Sequence, residues 1–517
     1  MTRTVVIGAG VGGLATAALL AAEGHSVTVF ERLDRVGGRA GSLEADGFRF
    51  DTGPSWYLMP RVFEHFYNLL GTTAADQLDL RELSPSYAVF SQPDAAESSG
   101  EKVTVPSGRE AVVRLFEARE PGAGRRLARY LDSAQRAARL AEDEFLYNPF
   151  TSVRSLSSPE VLRSAPRLAK MLGTSLDGLI TREFADPLLR QILGFPAVFL
   201  GTSPMDAPAL YHLMSAYDLD DAVRYPMGGF AAVVESLRSL AEANGARIVT
   251  GADVTAIGTV AAGSRRRATS VTVDGEKVRA DIVVSAADLH HTETALLEPA
   301  ARTYDERWWD RRVSGPSAVL VMLGVRGELP QLPHHSMLFA RDWDANFEAI
   351  FGDAKRVPSP ASAYVCRPSA TDPTVAPRGH EALFVLVPVP ADDGVDRAQV
   401  EAVADAAIDQ LAAWANIPDL RSRVIVRRTI GPQDFAREYH SWRGGMLGPA
   451  HVLRQSAMFR PGNASKRVSG LYYAGATVSP GIGVPMCLIS AELVLKRIRG
   501  DRSAAPLRAP AMRTVAM

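Results

Sequence analysis

The chain is poor in cysteine and has almost no net charge. Its two cysteines, Cys366 and Cys487, lie far apart and form no C-x-x-C pair, so the sequence predicts neither a disulfide framework nor a zinc site. This cysteine usage is typical of a reduced, cytoplasmic setting. The net charge of -1 excludes the basic footprint that a nucleic-acid partner needs.

Long apolar runs are also missing. No stretch of about 18 apolar residues occurs, so no helix that spans a membrane is predicted. The first residues, MTRTVVIGAG, enter a strand directly and contain no long apolar segment of the kind found in signal peptides. We expect a protein without a signal peptide or a membrane span, for which peripheral contact with a membrane stays open.

The length of 517 residues exceeds one ordinary hydrophobic core, and two or three domains are expected. A strand, a glycine-rich turn and a helix open the chain and recur near its end, while 110–245 is mostly helical. We predict an α/β fold in which a Rossmann-like nucleotide-binding domain, built from discontinuous segments, carries a sheet-bearing substrate domain and a helical insertion. The predicted boundaries are 1–85, 226–300 and 446–500 for the nucleotide-binding domain, 86–225 for a mainly helical substrate and membrane-contact region, 301–445 for the substrate domain and 501–517 for a disordered tail.

The N-terminal segment carries a dinucleotide-binding motif. In TVVIGAGVGGLATAALLAAEGHSVTVFE, a strand leads into the G-x-G-x-x-G turn of Gly8, Gly10 and Gly13, and a helix and a second strand follow before Glu31. The first glycine permits the tight turn, the second lets the backbone approach a pyrophosphate, and the third lets helix and strand pack closely. Glu31 is placed to accept hydrogen bonds from a ribose diol, and its charge disfavours the 2′-phosphate of NADP.

The segment DRVGGRAG, residues 34–41, distinguishes FAD from NAD. Its two glycines let the loop after Glu31 fold back over the phosphates, and Arg39 adds a positive charge for a phosphate oxygen. The sequence has no second G-x-G-x-x-G and no redox C-x-x-C. The combination resembles the extended signature of FAD-binding oxidoreductases, which GFRFDTGPS (47–55) also matches. We therefore predict that the Rossmann-like domain binds FAD and that electrons come from the organic substrate.

The chain resembles the bacterial carotenoid desaturases of the phytoene desaturase family, in an actinobacterial form. The similarity runs from residue 4 to about 498, through several blocks in the family's order. FDTGPSWYLMP (50–60), PMGGFAAVVESLRSLAEANGARIVTGADV (226–254) and GLYYAGATVSPGIGVPMCLISAELV (470–494) match its flavin-contact blocks. LPHHSMLFA, VCRPSATDPTVAPRGHEALFVLVPVP and QSAMFRPGN lie between the last two.

This resemblance implies a set of contacts with FAD. The glycine turn would meet the pyrophosphate with Arg39 nearby, Glu31 would bind the adenosine ribose, and the backbone of Val254 would reach the adenine. The C-terminal block would contact the ribityl chain and the isoalloxazine. Because Ala476 stands where many flavoenzymes of this fold have aspartate, the backbone or water must make that contact. The implied cofactor-binding residues are Gly8, Gly10, Gly12, Gly13, Glu31, Gly38, Arg39, Gly53, Pro54, Ser55, Val254, Gly475, Ala476, Ile482, Gly483, Val484 and Pro485.

The resemblance also implies an activity. The family removes a hydride and a proton from a long polyene such as phytoene, with a quinone or oxygen as the final electron acceptor. Such a protein would lie in the cytoplasm, peripherally associated with the inner face of the cell membrane. Because carbon–hydrogen bonds offer no polar handle, few charged catalytic groups are expected, and no catalytic residue is assigned. The alternatives are a carotenoid isomerase or saturase, an amine-oxidase-like flavoenzyme, and a lipid-binding carrier of the same fold without redox activity.

Two further features carry expectations. The apolar segment 186–217 is either a set of core helices or the wall of a tunnel and a surface where substrate is drawn from the membrane. The adjacent histidine pairs 290–291 and 334–335 are expected to diverge, on a helix or a strand, and no metal site is predicted. Flexible polar loops are expected over 91–102 and 260–270.

Overall fold

The structure is a computed structural model that describes residues 1–94, 97, 99–151, 158–353, 355–392 and 394–509. Its strands are β1 Arg3–Ile7, β2 Ser26–Phe30, β3 Ser42–Ala45, β4 Phe48–Asp51, β5 Leu80–Glu82, β6 Tyr87–Ser91, β7 Lys102–Val105, β8 Arg224–Pro226, β9 Arg247–Val249, β10 Val254–Ala262, β11 Arg265–Val273, β12 Glu276–Arg279, β13 Ile282–Ser285, β14 Ser317–Arg326, β15 His335–Phe339, β16 Ala363–Cys366, β17 His380–Val389, β18 Val424–Ile430, β19 Val468–Ser469 and β20 Leu471–Tyr473.

Helices connect these strands and cover the sheets. They are α1 Val11–Ala22, α2 Pro60–Leu69, α3 Ala74–Gln77, α4 Arg109–Arg119, α5 Ala123–Ala141, α6 Pro159–Leu172, α7 Leu176–Glu183, α8 Pro187–Gly194, α9 Phe230–Ala243, α10 Leu289–His291, α11 Glu306–Trp309, α12 Trp343–Phe351, α13 Arg397–Trp414, α14 Leu420–Arg423, α15 Pro432–Tyr439 and α16 Val484–Arg499. None of the helices in the described ranges is both long and apolar enough to cross a membrane.

A five-stranded sheet gathers segments that are far apart in the chain. Its order is β20-β13-β1-β2-β9, and β1 pairs in parallel with β13 on one side and with β2 on the other. Helix α1 follows β1 and buries nearly every residue, because it packs against α16 and α9 as well as the sheet. This arrangement confirms the predicted α/β, Rossmann-like fold assembled from discontinuous segments.

The second large sheet has seven strands in the order β18-β14-β17-β16-β15-β6-β7. Strand β14, the second in this order, is buried along almost its whole length, with α13 against it. Strands β6 and β7 join this sheet, although we expected a mainly helical region to begin at residue 86. The pairing of β6 with β15 joins residues about 250 positions apart, and no local pattern predicts such a long-range pairing. The exact domain boundaries stay a prediction.

One segment that we expected to be a loose loop is mostly strand. Strands β10 and β11 form a hairpin that turns at 263–264, so most of 260–270 is strand rather than loop. Near the C-terminus, the buried Nζ of Lys496 donates to the carbonyl oxygens of Ser503 and Ala505, each at 2.7 Å. Residues 501–509 thus contact α16, and the predicted disordered tail 501–517, like the other domain boundaries, stays a prediction. Residues 510–517, and 95, 96 and 98 in the predicted loop 91–102, lie outside the described part.

Candidate active site

The glycine turn after β1 brings three chain segments into contact. Gly8 has a φ of +93°, which is the left-handed conformation that glycine tolerates. A Cβ on Gly13 would lie 1.9 Å from the carbonyl oxygen of Gly8, and one on Gly12 would lie 2.9 Å from Cα of Gly475. A Cβ on Gly10 would have no protein atom nearer than 3.9 Å, the carbonyl oxygen of Gly37. Gly12 and Gly13 thus permit close packing, while the space in front of Gly10 is open to a ligand.

Glu31 lies at the end of β2 and is nearly buried. Its carboxylate accepts the backbone N–H of Ala9 at 2.7 Å and that of Leu33 at 2.9 Å. A carboxylate has about four acceptor positions, so two are left to face the groove. Glu31 can therefore hold the loop after β2 and still accept hydrogen bonds from a ribose.

Arg39 lies on the opposite wall of the groove. Its Nη2 donates to Oγ of Ser441 at 2.8 Å and to Oδ2 of Asp288 at 3.3 Å. Its Nε is buried and has no hydrogen-bond partner in the described residues. Asp288 follows β13, the neighbour of β1, so the carboxyl ends of adjacent parallel strands bring it to the groove. We did not predict Asp288 from the sequence, although a carboxylate just after the strand of DIVVSAAD could have indicated a residue at the groove.

The C-terminal block forms the third wall, held in place by buried polar side chains. The backbone N–H of Gly475 donates to Oγ of Ser490 at 3.0 Å. Arg460 is buried, and its guanidinium donates to the carbonyl oxygens of Ala476 at 2.7 Å and Val478 at 3.1 Å. Burial lowers the pKa of Arg460 to about 10, and no carboxylate in the described ranges forms an ion pair with it. The carbonyl oxygen of Ala476 thus already accepts one hydrogen bond, and the expected ribityl contact through backbone or water stays a prediction.

One cavity of about 960 Å³ joins these walls. Sixteen of the seventeen implied cofactor-binding residues line it; Gly13 does not, because it packs beneath the turn. Asp253, Asp288, His291 and Thr477, none of which we predicted, line it as well. The structure therefore brings residues from the first third, the middle and the end of the chain to one groove.

Beyond the groove, the cavity is lined mainly by apolar side chains. Helices α5, α6 and α12 contribute to its walls, as do the sheet strands β14 and β17. The segment 186–217 supplies part of the wall, through Phe195, Phe199 and Met214 among others. Most of this segment is buried, so it forms core and cavity wall rather than surface. Such an apolar space binds hydrocarbon and offers few polar groups to orient it.

The groove fits the adenosine and diphosphate of FAD. The open space at Gly10 faces the N-terminal end of α1, where free N–H groups favour an anion. Arg39, a quarter of whose side chain is exposed (25%), is a cation at the same groove, and Glu31 lines it as well. The groove thus offers a carboxylate for the ribose, an anion-binding turn for the diphosphate and a cation for its charge, which are the groups that a dinucleotide requires.

Of the two histidine pairs, 334–335 does not diverge as we expected. The rings of His334 and His335 lie 4.5 Å apart, because His334 precedes β15 and so escapes the alternation of a strand. Their nitrogens and the thiol of Cys366 lie within 4.8 Å of one another. In the other pair, His291 stacks on His440 at 3.9 Å beside the groove. Burial lowers the pKa of His291 to about 4, so its ring is neutral.

The fold and the groove define a dinucleotide-binding flavoprotein, and comparison with known proteins makes the assignment specific. The pattern of the flavin containing amine oxidoreductase family matches residues 11–498. The chain belongs to this family, which confirms the predicted flavin, and FAD is the flavin whose adenosine and diphosphate fit the groove.

Two curated relatives match almost end to end. The chain is 40% identical to a carotenoid 3,4-desaturase of Haloarcula japonica, over 94% of this chain and 96% of that protein. It is 36% identical to a ζ-carotene-forming phytoene desaturase of Myxococcus xanthus, over 96% of this chain and 93% of that protein. The resemblance to carotenoid desaturases is therefore confirmed across the whole length.

Solved structures agree on the fold. An oxidoreductase from Methanosarcina mazei has a TM-score of 0.63 at 20% identity, over 96% of this chain and all of that one (100%). Wild-type putrescine oxidase has a TM-score of 0.59 at 17% identity, over 97% of this chain and 98% of that one. These likenesses support the α/β flavoprotein fold.

Proposed function

We propose that this protein is an FAD-dependent carotenoid desaturase that acts on phytoene or a related long polyene. The single observation that carries the proposal is the cavity, which continues from the glycine groove into a long apolar space. A dinucleotide in the groove and a hydrocarbon in the apolar part would meet inside one enclosure. The relatives named as carotenoid and phytoene desaturases support the same chemistry.

The protein's contribution is position and the exclusion of water. FAD, when bound, supplies the acceptor for the hydride that the substrate loses. The apolar walls hold two adjacent carbons of the chain against that acceptor by shape alone, because the carbons offer no group to hydrogen-bond. Excluding water also prevents the electron-poor intermediate from being trapped by addition of water.

We assign the cofactor contacts to the walls of the groove. Gly8, Gly10 and Gly12 accommodate the diphosphate, Arg39 neutralises part of its charge, and Glu31 accepts the adenosine ribose hydroxyls. The other implied contacts complete the site: Gly38, Gly53, Pro54, Ser55, Val254, Gly475, Ala476, Ile482, Gly483, Val484 and Pro485. Gly13 acts on the cofactor only through the packing of the turn.

We further propose that the mouth of the cavity rests on a lipid bilayer, on the cytoplasmic face of the membrane. Leu453, Met458 and Phe459 both line the cavity and are exposed, by 46%, 47% and 58% respectively. Leu172, at the end of α6, shares both properties, and Leu162 on the same helix is also exposed. A hydrocarbon dissolved in a bilayer could pass through such a mouth without crossing water. This apolar mouth supports peripheral membrane contact.

Product formation in vesicles tests the function. Phosphatidylcholine vesicles loaded with phytoene are mixed with the FAD-loaded protein and a quinone, and the visible spectrum is followed. Each new conjugated double bond moves the absorption to longer wavelength, so the shifts count the desaturation steps. Oxygen replaces the quinone in a parallel sample to identify the acceptor. Oxidation of putrescine with an unchanged polyene would instead support the amine-oxidase alternative.

A further inference from the structure

A chain of hydrogen bonds leads from the cavity wall into the seven-stranded sheet. Oγ of Ser55, after β4, lies 2.7 Å from Oη of Tyr364 on β16, and that oxygen lies 2.8 Å from Nδ1 of His335 on β15. Ser55 and Tyr364 line the cavity, and His335 lies behind them. Ser55 also belongs to the segment that we assign to the cofactor, so the chain begins at the reacting end of the cavity.

Burial sets the protonation states of these groups. The pKa of His335 is held well below its ordinary value by burial and by His334, so its ring is neutral. Burial raises the pKa of Tyr364 well above its ordinary value, so Tyr364 keeps its proton. A neutral ring has one accepting nitrogen. With Nδ1 as that nitrogen, the tyrosine hydroxyl donates to Nδ1 of His335, and Ser55 donates to the tyrosine oxygen.

The remaining nitrogen of His335 is not engaged. His335 is fully buried, and its Nε2 has no hydrogen-bond partner in the described part of the chain, as is also the case for Nε2 of His334. A proton on Nδ1 would therefore break no hydrogen bond at Nε2.

In a second tyrosine–histidine pair on the cavity wall, both histidine nitrogens are engaged in hydrogen bonds. Oη of Tyr211 lies 2.9 Å from Nδ1 of His451, but Nε2 of His451 accepts the backbone N–H of Ile482 at 3.3 Å. With Nε2 accepting, Nδ1 must carry the hydrogen, and no lone pair is left for a further proton. His451 therefore orients its neighbours and cannot act as a base without breaking a contact.

The third pair is a tyrosine and a carboxylate. The hydroxyl of Tyr217 donates to Oε1 of Glu142 at 2.8 Å, and Oε2 of Glu142 pairs with Nη1 of Arg61 at 3.2 Å. Protonation of Glu142 would break this ion pair. Of the three pairs, only Tyr364 and His335 combine access to the cavity with an uncommitted base.

We propose that Ser55, Tyr364 and His335 form the relay that accepts the proton released by desaturation. The inference rests on the proposed function. One substrate hydrogen leaves with both electrons of its bond and reduces the flavin; the other leaves as a proton, and the electrons of its bond form the new double bond. The hydroxyl of Ser55 accepts this proton and passes its own proton to Tyr364. Tyr364 in turn passes its hydroxyl proton to Nδ1 of His335. Both hydroxyls end as they began, and His335 ends as an imidazolium.

A weak base suffices for this step. Loss of a hydride beside a conjugated segment leaves a cation, and the hydrogen on the adjacent carbon of such a cation is strongly acidic. The low basicity of His335 keeps it neutral and ready at ordinary pH. When a quinone or oxygen later takes the two electrons it also takes two protons, which balances the proton stored in the relay.

The test replaces one member of the relay at a time. Tyr364→Phe breaks the relay, and His335→Gln keeps an acceptor that cannot be protonated. Tyr87→Phe is the matched control, because Tyr87 is fully buried, contacts Trp56 as Tyr364 does, lacks a hydroxyl partner in the described residues and does not line the cavity. The FAD content and thermal unfolding of each variant show whether it is folded and loaded.

The readout is the rate at which the longer-wavelength polyene band rises without oxygen, because the new double bond forms only when the proton leaves. Vesicles containing phytoene, its C30 analogue or a later desaturation intermediate are mixed with each loaded protein in H₂O and in D₂O. We expect Tyr364→Phe and His335→Gln to slow the reaction about 100-fold, the lower range for general acid–base catalysis, and Tyr87→Phe to leave it unchanged. The wild type should react more slowly in D₂O, because the relay hydrogens exchange with solvent, and Tyr364→Phe should lose that effect.

Three outcomes would overturn the relay. The first is a Tyr364→Phe rate within about twofold of the Tyr87→Phe rate. The second is a wild-type rate that is the same in H₂O and in D₂O. The third is a stoichiometric metal ion that elemental analysis finds in the wild type but not in His335→Gln. If none of the polyenes bleaches the wild-type flavin, the proposed function fails as well. If the wild type and Tyr364→Phe form the desaturated polyene equally fast, the relay alone fails.

Discussion

The guanidinium of Arg39 lies 3.3 Å from the carboxylate of Asp288, on the wall of the groove that the glycine turn opens. Asp288 is almost completely buried, whereas a quarter (25%) of the Arg39 side chain is exposed. The acidic partner thus fixes Nη2 of the arginine, while the exposed part of the guanidinium side chain is left for another acceptor. A phosphate oxygen is the acceptor that this geometry favours.

Arg39→Ala should weaken the retention of FAD strongly. Loss of one charge-assisted phosphate contact costs about 1.5–3 kcal/mol, and the substitution also leaves Asp288 without its cation. Flavin content after gel filtration, and the FAD dissociation constant from fluorescence, measure the effect. Arg35→Ala is the control, because Arg35 pairs with Glu438 at 3.0 Å and does not line the cavity. Equal flavin content in the two variants would contradict the role of Arg39.

Gly12→Ala should disrupt the groove without removing any charge. The new Cβ would lie 2.9 Å from Cα of Gly475, a backbone atom, so one of the two segments must shift. We expect a lower melting temperature and loss of FAD, because α1 and the C-terminal block must separate. Gly462→Ala is matched to it, since a Cβ there meets no atom within 4 Å. A Gly12→Ala protein as stable and as yellow as Gly462→Ala would refute the packing argument.

The apolar mouth should determine binding to vesicles. Phe459→Ser removes an exposed aromatic ring from the mouth, and sedimentation with phosphatidylcholine vesicles should fall several-fold, because burial of a large apolar side chain contributes about 1.5–3 kcal/mol. Met205→Ser serves as the control, since Met205 is also exposed but does not line the cavity. If the two substitutions reduce sedimentation equally, the mouth is not the membrane contact.

Acid should destabilise the protein through its buried histidines. The pKa of His291 is lowered to about 4 by burial and by His440. An unfolded histidine takes a proton below about pH 6.5, whereas the folded ring does so only near pH 4, so unfolding binds a proton and stability falls between these values. Asp51 and Asp218 act in the opposite direction, because burial raises their pKa values to about 6 and about 8.

The contribution of His291 is measured by comparison with a variant. His291→Phe keeps an aromatic ring on His440 but removes the titrating group. Between pH 7.5 and pH 5, the urea midpoint of His291→Phe should fall by less than that of the wild type. Equal falls would show that His291 does not contribute to the acid sensitivity.

Local patterns predicted the nucleotide-binding half of the molecule well. The glycine turn, the two strands beside it and Glu31 follow from residues within one short segment, and their contacts in the structure are local ones. The C-terminal contacts could be predicted only by resemblance, because no spacing rule places Gly475 against Gly12. The resemblance to the family therefore predicted C-terminal contacts that the local pattern could not predict.

Long-range contacts account for what the sequence analysis missed. Asp288 reaches Arg39 because β13 lies beside β1, and Tyr364 reaches His335 because β15 and β16 pair in the second sheet. The expectation that His334 and His335 diverge failed because the strand begins only at His335. The contacts that Lys496 and Glu492 make with Ser503, Ala505 and Leu507 are likewise not apparent in the sequence.

Anaerobic mixing of the FAD-loaded protein with phytoene in vesicles tests the central claim most directly. One spectrophotometer records both the flavin and the polyene. The account predicts that the yellow flavin absorption bleaches while a longer-wavelength polyene band rises in equal molar amount, because each hydride that leaves the hydrocarbon reduces one flavin. A flavin that stays yellow with every polyene tried, or that bleaches without any change in the polyene, would contradict it.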